Sequence, residues 1–140
     1  KEWALAYMMP SIAPEELLTK ILIKPWGMPY GYGFQEFARR HGDFAIAAVG
    51  CLLKLQDGAI SDIAISIGGV EDVPRRFIEC EDVLRGSKYD IEEVKKQIIG
   101  PLDQINYIDD SLVTGSYRQK LLKGLLVRSI EQAANRANSL

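Results

Sequence analysis

Two long β-patterned stretches meet at Asp57-Gly58, and that junction constrains the fold more than anything else in the chain. Before it runs an apolar stretch from Phe44 to Leu55. After it, Ala59 to Val70 alternates, with Ile63, Ile65 and Ile67 on one face and Asp62, Ala64 and Ser66 on the other. Asp-Gly between two such runs is a strong hairpin signal, because a tight turn needs residues that tolerate positive φ. The alternation says that one face of the sheet is buried and the other is not. Gly68-Gly69 ends the second strand and lets the backbone turn sharply.

Helical patterns follow. Val73 to Leu84 starts a helix with Pro74 in its first turn, and Phe77, Cys80, Val83 and Leu84 form an amphipathic stripe. Gly86 is placed as its C-cap. Asp90 to Ile99 is a second short helix, capped by Asp90, with Glu93 at the capping-box position and Gly100-Pro101 as the stop. Leu102 to Leu112 reads as an irregular link. Its acids Asp103, Asp109 and Asp110 lack EF-hand spacing and are expected to be solvated. From Tyr117 to about Ala137 apolar residues recur at 121, 122, 125, 126, 130, 133, 134 and 137, a sustained helical stripe. Ser116 or Thr114 can cap it. Its small residues Ala133, Ala134 and Ala137 permit close packing. Arg118, Lys120, Lys123, Arg128 and Arg136 mostly lie off the stripe and read as a solvated face.

Upstream of the hairpin the pattern is less regular. Residues 1–13 hold Trp3, Leu5, Tyr7, Met8 and Met9 without a clean period, and Pro10 stops any helix. Pro14 to Leu18 reads as a short helical turn with acids at its positive end. Thr19 to Lys24 reads as a β-branched strand ended by Pro25. Pro25 to Gly33 is Pro- and Gly-rich and is expected to be a loop. Its aromatics Trp26, Tyr30 and Tyr32 either line a ligand or cap the core. Phe34 to Arg40 resumes as a strand. Strands followed by helices give an α+β class: a small antiparallel β-sheet of three to four strands with helices packed on one face.

A chain of 140 residues is long enough for one domain with a real core. A net charge of −2 gives no reason to expect a nucleic-acid or membrane surface. No apolar run approaches the ~20 residues of a membrane span, and no signal-peptide pattern opens the chain, so a cytoplasmic location is expected. Its abrupt start, without Met, reads as that of a fragment. Cys51 and Cys80 are expected to be buried free thiols, and with one His they make no convincing zinc site. His41, beside Arg40 and Asp43, has no visible partner nucleophile and reads as a turn residue. Gly31-x-Gly33 lacks a third glycine and opens no helix, so it is a poor dinucleotide fingerprint. No Gly-x-Ser-x-Gly, Cys-His pair or Walker loop is present, so no residue is proposed as catalytic and none as a metal ligand.

A set of short pieces runs in order along almost the whole chain: Pro14-Glu-Glu-Leu-Leu-Thr-Lys-Ile21; Phe34-x-x-Phe37-x-Arg39-Arg40-x-Gly42-Asp43-Phe44-Ala45; Asp57-Gly58; Gly68-Gly69 with Pro74-Arg75; Glu81-x-x-Leu84-x-Gly86; and Ser116-Tyr117-Arg118. Together they resemble the C-terminal domain of the FAD-binding (medium) subunit of molybdenum hydroxylases, the family of aerobic carbon monoxide dehydrogenase and xanthine dehydrogenase. The resemblance implies a domain that covers the flavin and helps dock partner subunits. Electrons in that family pass from a molybdenum centre (a molybdopterin cofactor) through two 2Fe–2S clusters to FAD and on to an external acceptor. It also implies that residues 1–13 are a connector from an N-terminal FAD-binding domain, that 14–140 is the C-terminal domain, and that the FAD site is incomplete here. Its partners would be that domain and the iron–sulfur and molybdopterin subunits.

By the same resemblance three residues approach FAD. Leu18 matches a position that contacts flavin through its backbone, and Phe34 and Gln35 match the pair beside the isoalloxazine ring. Relatives often carry Tyr and Lys at these two places. Phe34 keeps the stacking surface without the hydroxyl, and Gln35 keeps hydrogen bonding without positive charge. Arg39 and Arg40 either pair acids across a subunit contact or are surface charge. The competing reading is a non-catalytic protein-interaction domain of the same fold that binds no flavin, with the Trp26–Tyr32 loop and the apolar N-terminus as its contact surface.

Overall fold

The computed structural model describes residues 3–6 and 8–139. The chain opens with two short antiparallel strands, β1 (Ala4–Ala6) and β2 (Met9–Pro10), closed further by Ser11 N–H donating to Trp3 C=O at 2.8 Å. Residue 7, between them, lies outside the described residues, as do 1, 2 and 140. The helical turn expected over 14–18 is a single turn, with Glu16 N–H on Ala13 C=O. The strand expected over 19–24 does not form; that segment has no regular structure. A strand needs a partner for its amides, and residues 19–24 pair with no strand of the main sheet.

The main sheet has four antiparallel strands in the order β3 (Gly31–Phe37), β4 (Ala47–Gln56), β5 (Ala59–Gly68) and β6 (Arg75–Arg76). Asp57 and Gly58 join β4 to β5 with φ of 53° and 76°, the two positive values that a tight hairpin turn requires. Lys54 pairs with Asp62 but Leu55 with Ile60, so Ser61 is an extra residue on β5. That bulge changes the parity and lets Ile60 and Ile63 both point into the core. β3 begins at Gly31 and ends at Phe37, earlier at both ends than the sequence pattern suggests.

Four helices follow: α1 (Ile78–Leu84), α2 (Ile91–Gln97), α3 (Ile99–Asp103) and α4 (Gly115–Ala137). α1 starts later than its proline implies, because Arg75-Arg76 pairs with Ile67 and Ser66 as β6 instead. The edge amides of β5 thereby gain partners, and Phe77 N–H adds a bond to Ile65 C=O at 2.8 Å. Asp90 caps α2 as expected, accepting from Glu92 and Glu93 N–H. Pro101 does not stop the helical path but sits in the first turn of α3, where its missing N–H has no intrahelical partner to lose. Thr114 caps α4, accepting from Tyr117 N–H at 3.3 Å.

The helices cover one face of the sheet. Val49, Cys51, Leu53, Ile63, Ile65 and Ile67 point inward against Leu122, Leu126 and Ile130 of α4, Phe77 just before α1 and Leu84 of α1. Each fully buried Leu, Ile or Phe contributes about 1.5–3 kcal/mol. The closest approach is between α4 and β3. A Cβ built on Gly31 would lie 1.8 Å from Ala133 C=O, and one on Gly33 would lie 2.0 Å from Ser129 C=O. The two glycines that looked like part of a loop are therefore the seat of the helix, and Ser129, Ala133 and Ala137 meet them with small side chains.

Candidate functional site

Two basic residues of α4 are not solvated as expected. Arg118 is buried and donates to Ile46 C=O at 2.8 Å, to Gly69 C=O and to the Asp110 carboxylate. One guanidinium thus ties the start of α4 to the chain before β4 and the turn after β5. Its planar fork suits this role in a way a lysine cannot. Arg136 lies over the Tyr32 ring at 3.9 Å and donates to Tyr32 C=O at 2.6 Å. The acids read as a solvated loop are also used. Asp109 accepts from Gly115 N–H, Asp110 from Leu112 and Val113 N–H, and Asp103 from Gln119. Unpaired loop amides need acceptors, and these carboxylates supply them. Those backbone bonds, aided by Arg118, hold the Asp110 carboxyl below its ordinary range.

Side chains bond outward backbone groups at both sides of the main sheet. On β3, the outward Phe34 N–H donates to Gln132 Oε1 at 3.1 Å, while Arg136 takes Tyr32 C=O. On β5, the buried Glu81 carboxylate accepts from Ile65 N–H at 2.8 Å and from Arg76 Nε at 2.7 Å. Arg85 donates to Ile63 C=O, and Ser87 and Gly86 bond Ile60. Gly86 has φ of 83°, as a C-terminal cap should.

One sheet face is covered by helices, so the open surface is the outer face of β3, β4 and β5. Phe34 stands on it, 59% exposed. Its cross-strand partner is Gly50, which in turn faces Ser66. A Cβ on Gly50 would meet Ser66 Oγ at 2.9 Å and Phe34 Cδ2 at 4.0 Å, so the ring lies beside a position with no side chain. Ala48 and Ala64 add small side chains to this face, which Leu52 and Tyr32 bound on one side. Gln35, the next residue, points the other way, as strand alternation demands. It is half-buried towards α4, with Nε2 3.4 Å from Gln132 Oε1. Phe34 and Gln35 therefore share Gln132 as a partner but not a face. Leu18 lies in the irregular segment, 46% exposed. Sequence reasoning misses Gly50 and Gln132. A lone glycine in the apolar Phe44–Leu55 run is the available sign for the first, and the Gln132/Arg136 spacing of one helical turn for the second.

The other candidates resolve more simply. Trp26 is half-buried, with Lys54 Nζ 4.9 Å above its ring and bonded to its C=O at 3.1 Å, and it meets Tyr30 edge-on at 5.7 Å. Met28, Tyr30 and Tyr32 share an open groove of about 500 Å³ with Arg136. Arg39, Arg40 and His41 project from the β3–β4 turn, where Gly42 takes φ of 89° and Asp43 N–H bonds Arg40 C=O. Cys51 and Cys80 are buried free thiols. Burial pushes Cys80 up to about 12, and Cys51 higher still. Among the described residues no group of three or more His, Cys, Asp or Glu is placed to hold a metal ion, and no helix is long and apolar enough to cross a membrane.

Residues 32–133 match the family model described as the CO dehydrogenase flavoprotein C-terminal domain. The chain is 35% identical over 128 residues to the nicotine 6-hydroxylase medium subunit of Paenarthrobacter nicotinovorans, covering 91% of this chain and 44% of that protein. It is 33% identical over 119 residues to the glyceraldehyde dehydrogenase medium chain of Sulfolobus acidocaldarius, covering 85% of this chain and 42% of that one. It also superposes on reconstituted CO dehydrogenase from Oligotropha carboxidovorans with a TM-score of 0.71 at 26% identity, over 77% of this chain and 38% of that one. The chain thus spans less than half the length of the relatives it matches. Its four-stranded sheet, its one-sided helical cover and this match over most of its length agree, and the chain belongs to the CO dehydrogenase flavoprotein C-terminal domain family.

Proposed function

We propose that this domain is the flavin-covering half of the FAD-containing medium subunit of a cytoplasmic molybdenum hydroxylase. In that role residues 1–13 connect it to an N-terminal FAD-binding domain, and iron–sulfur and molybdopterin subunits dock around the pair. Flavin, when bound, accepts electrons from 2Fe–2S clusters and passes them to an external acceptor. The observation that supports this most is Phe34 on its open platform. An exposed ring beside the bare Gly50, on the uncovered face, fits a flat heterocycle and would exclude water from one side of it. Gln35 fits less directly. Its amide is turned towards Gln132, so it supports the site by fixing β3 and offers no positive charge to reduced flavin. Leu18 is proposed to approach through its backbone.

The test is the visible spectrum of the full-length subunit. A yellow protein is expected, and Phe34→Ala should weaken FAD binding about 2- to 12-fold, the equivalent of a lost stacking contact of ~0.5–1.5 kcal/mol. A colourless full-length protein would refute the proposal and favour the interaction domain. The substrate belongs to the molybdenum subunit and is not encoded in these residues.

A further inference from the structure

Strand alternation gives Phe34 two neighbours on the open face, and neither is Gln35. Tyr32 and Glu36 stand on the same side of β3 as Phe34, and all three are exposed. The Tyr32 ring is already covered by Arg136, 3.9 Å away. Glu36 has no such cover. Its cross-strand partner is Ala48, and Ala48 in turn faces Gly68. No side chain longer than a methyl group therefore stands opposite it on β4 or β5.

The other charged groups of this face have partners. Lys54 Nζ donates to Trp26 C=O at 3.1 Å. Asp62 accepts from Ile63 N–H at 2.9 Å. Arg76 Nε donates to Glu81 at 2.7 Å. Among the described residues Glu36 has no hydrogen bond or ion pair. It lines an open groove of about 380 Å³ with Arg39 and Arg40, which lie beyond the end of β3 and do not bond it. Two residues of an extended strand span ~7 Å, so this carboxylate stands at the rim of any ring that lies on Phe34.

A flavin that gains two electrons and one proton carries one negative charge, spread over its ring. We infer, resting on the flavin reading above, that Glu36 is the residue with which this domain tunes the bound flavin: its charge opposes the one gained on reduction and so favours the oxidised form. Gln35 faces α4 and shares Gln132, so Glu36 is the polar group that β3 presents to the ring. Removing one negative charge shifts the balance the same way whatever cations stand nearby, so Arg39 and Arg40 do not alter the direction.

The test is the ratio of the affinities of the full-length subunit for oxidised and reduced FAD, read from the midpoint potential of the bound flavin against a redox dye. Glu36→Gln keeps the shape and removes the charge. It should raise the preference for reduced FAD about 3- to 50-fold, which is what Coulomb's law gives for unit charges ~7 Å apart between the dielectric constants of water and of a protein surface. Glu36→Lys should shift the ratio further in the same direction. Glu92→Gln removes a carboxylate from α2, on the covered side of the sheet, and should leave the ratio unchanged. A yellow subunit whose ratio is the same in both Glu36 variants would overturn the inference and leave the flavin reading intact. Equal loss of affinity for both forms would also overturn it, since that marks a contact and not a tuning charge. An equal shift in Glu92→Gln would assign the effect to net charge and overturn it as well. A colourless full-length wild type would refute the flavin reading and the role of Glu36 with it.

Discussion

Gly33→Ala should destabilise the protein strongly, against the general expectation for such a change. Gly33 does not have positive φ, and replacing an unstrained glycine with alanine usually stabilises by about 0.4–1 kcal/mol through the unfolded chain. Here the new Cβ would sit 2.0 Å from Ser129 C=O, and 2.8 Å from that carbonyl's carbon. Ordinary C···O contact begins at about 3.3 Å, so the α4 backbone must retreat by roughly 1.3 Å. A gap of ~0.5–1 Å already forfeits a quarter to a half of a dispersion well. The contacts loosened are those of Leu126, Ile130 and Ala133, all fully buried. Overpacking against backbone, which has no rotamer to yield, belongs at the top of the usual range, about 3 kcal/mol or more. At a urea m-value of about 2 kcal/mol/M this lowers the unfolding midpoint by ~1.5 M. Gly124→Ala is the control. It lies in the same α4, where an added methyl would meet nothing within 4 Å, and should gain about 0.5–1 kcal/mol. A Gly33→Ala protein within ~1 kcal/mol of wild type would refute the close-approach argument.

Glu81→Ala should cost about 2–4 kcal/mol by urea unfolding, because Ile65 N–H loses its acceptor in a buried site. Arg118→Lys should cost about 2 kcal/mol or more, since one ammonium cannot reach Ile46 C=O, Gly69 C=O and Asp110 together. Asp110 has a lowered folded-state pKa, so its contribution is present above the unfolded value near ~4 and is lost as pH falls through the folded value. Asp110→Asn should flatten that acid limb of the stability profile, and an unchanged limb would exclude Asp110 as its source. With both thiols buried and raised, Cys51 and Cys80 should react with a disulfide reagent at pH 8 only as fast as the protein unfolds. Labelling at the rate of a free peptide thiol would contradict their burial.

The features legible in the sequence are those fixed by local chemistry. Asp57-Gly58 announces its turn through the φ values it tolerates, and Asp90 and Thr114 announce helix starts through the oxygens they offer. What stays hidden depends on groups far apart in the chain. Gly31 and Gly33 look like loop residues because their reason lies at the far end of the chain, at Ala133 and Ser129. Arg118 and Arg136 look solvated because no helical periodicity reveals a carbonyl waiting on another element. The candidate site is legible in part. Phe34 and Gln35 are singled out by resemblance as a pair, whereas their place in β3 puts them on opposite faces of the sheet.

The same logic explains why so much of this domain's polar chemistry is spent on closure. A four-stranded sheet with a short β-patterned neighbour in its own chain faces a standing hazard: the neighbour could pair with the wrong edge. Glu81 and Arg85 bond outward groups of β5 on one side, and Gln132 and Arg136 bond two outward groups of β3 on the other. Besides stabilising the domain, each bond takes up a backbone group that a neighbouring strand would otherwise pair with. Gln132→Ala with Arg136→Ala should for that reason do more than loosen α4. It should expose the Phe34 N–H and Tyr32 C=O and promote association through β3, visible as concentration-dependent dimers by light scattering. A double variant that loses stability but stays monomeric would show the edge groups to be packing contacts alone.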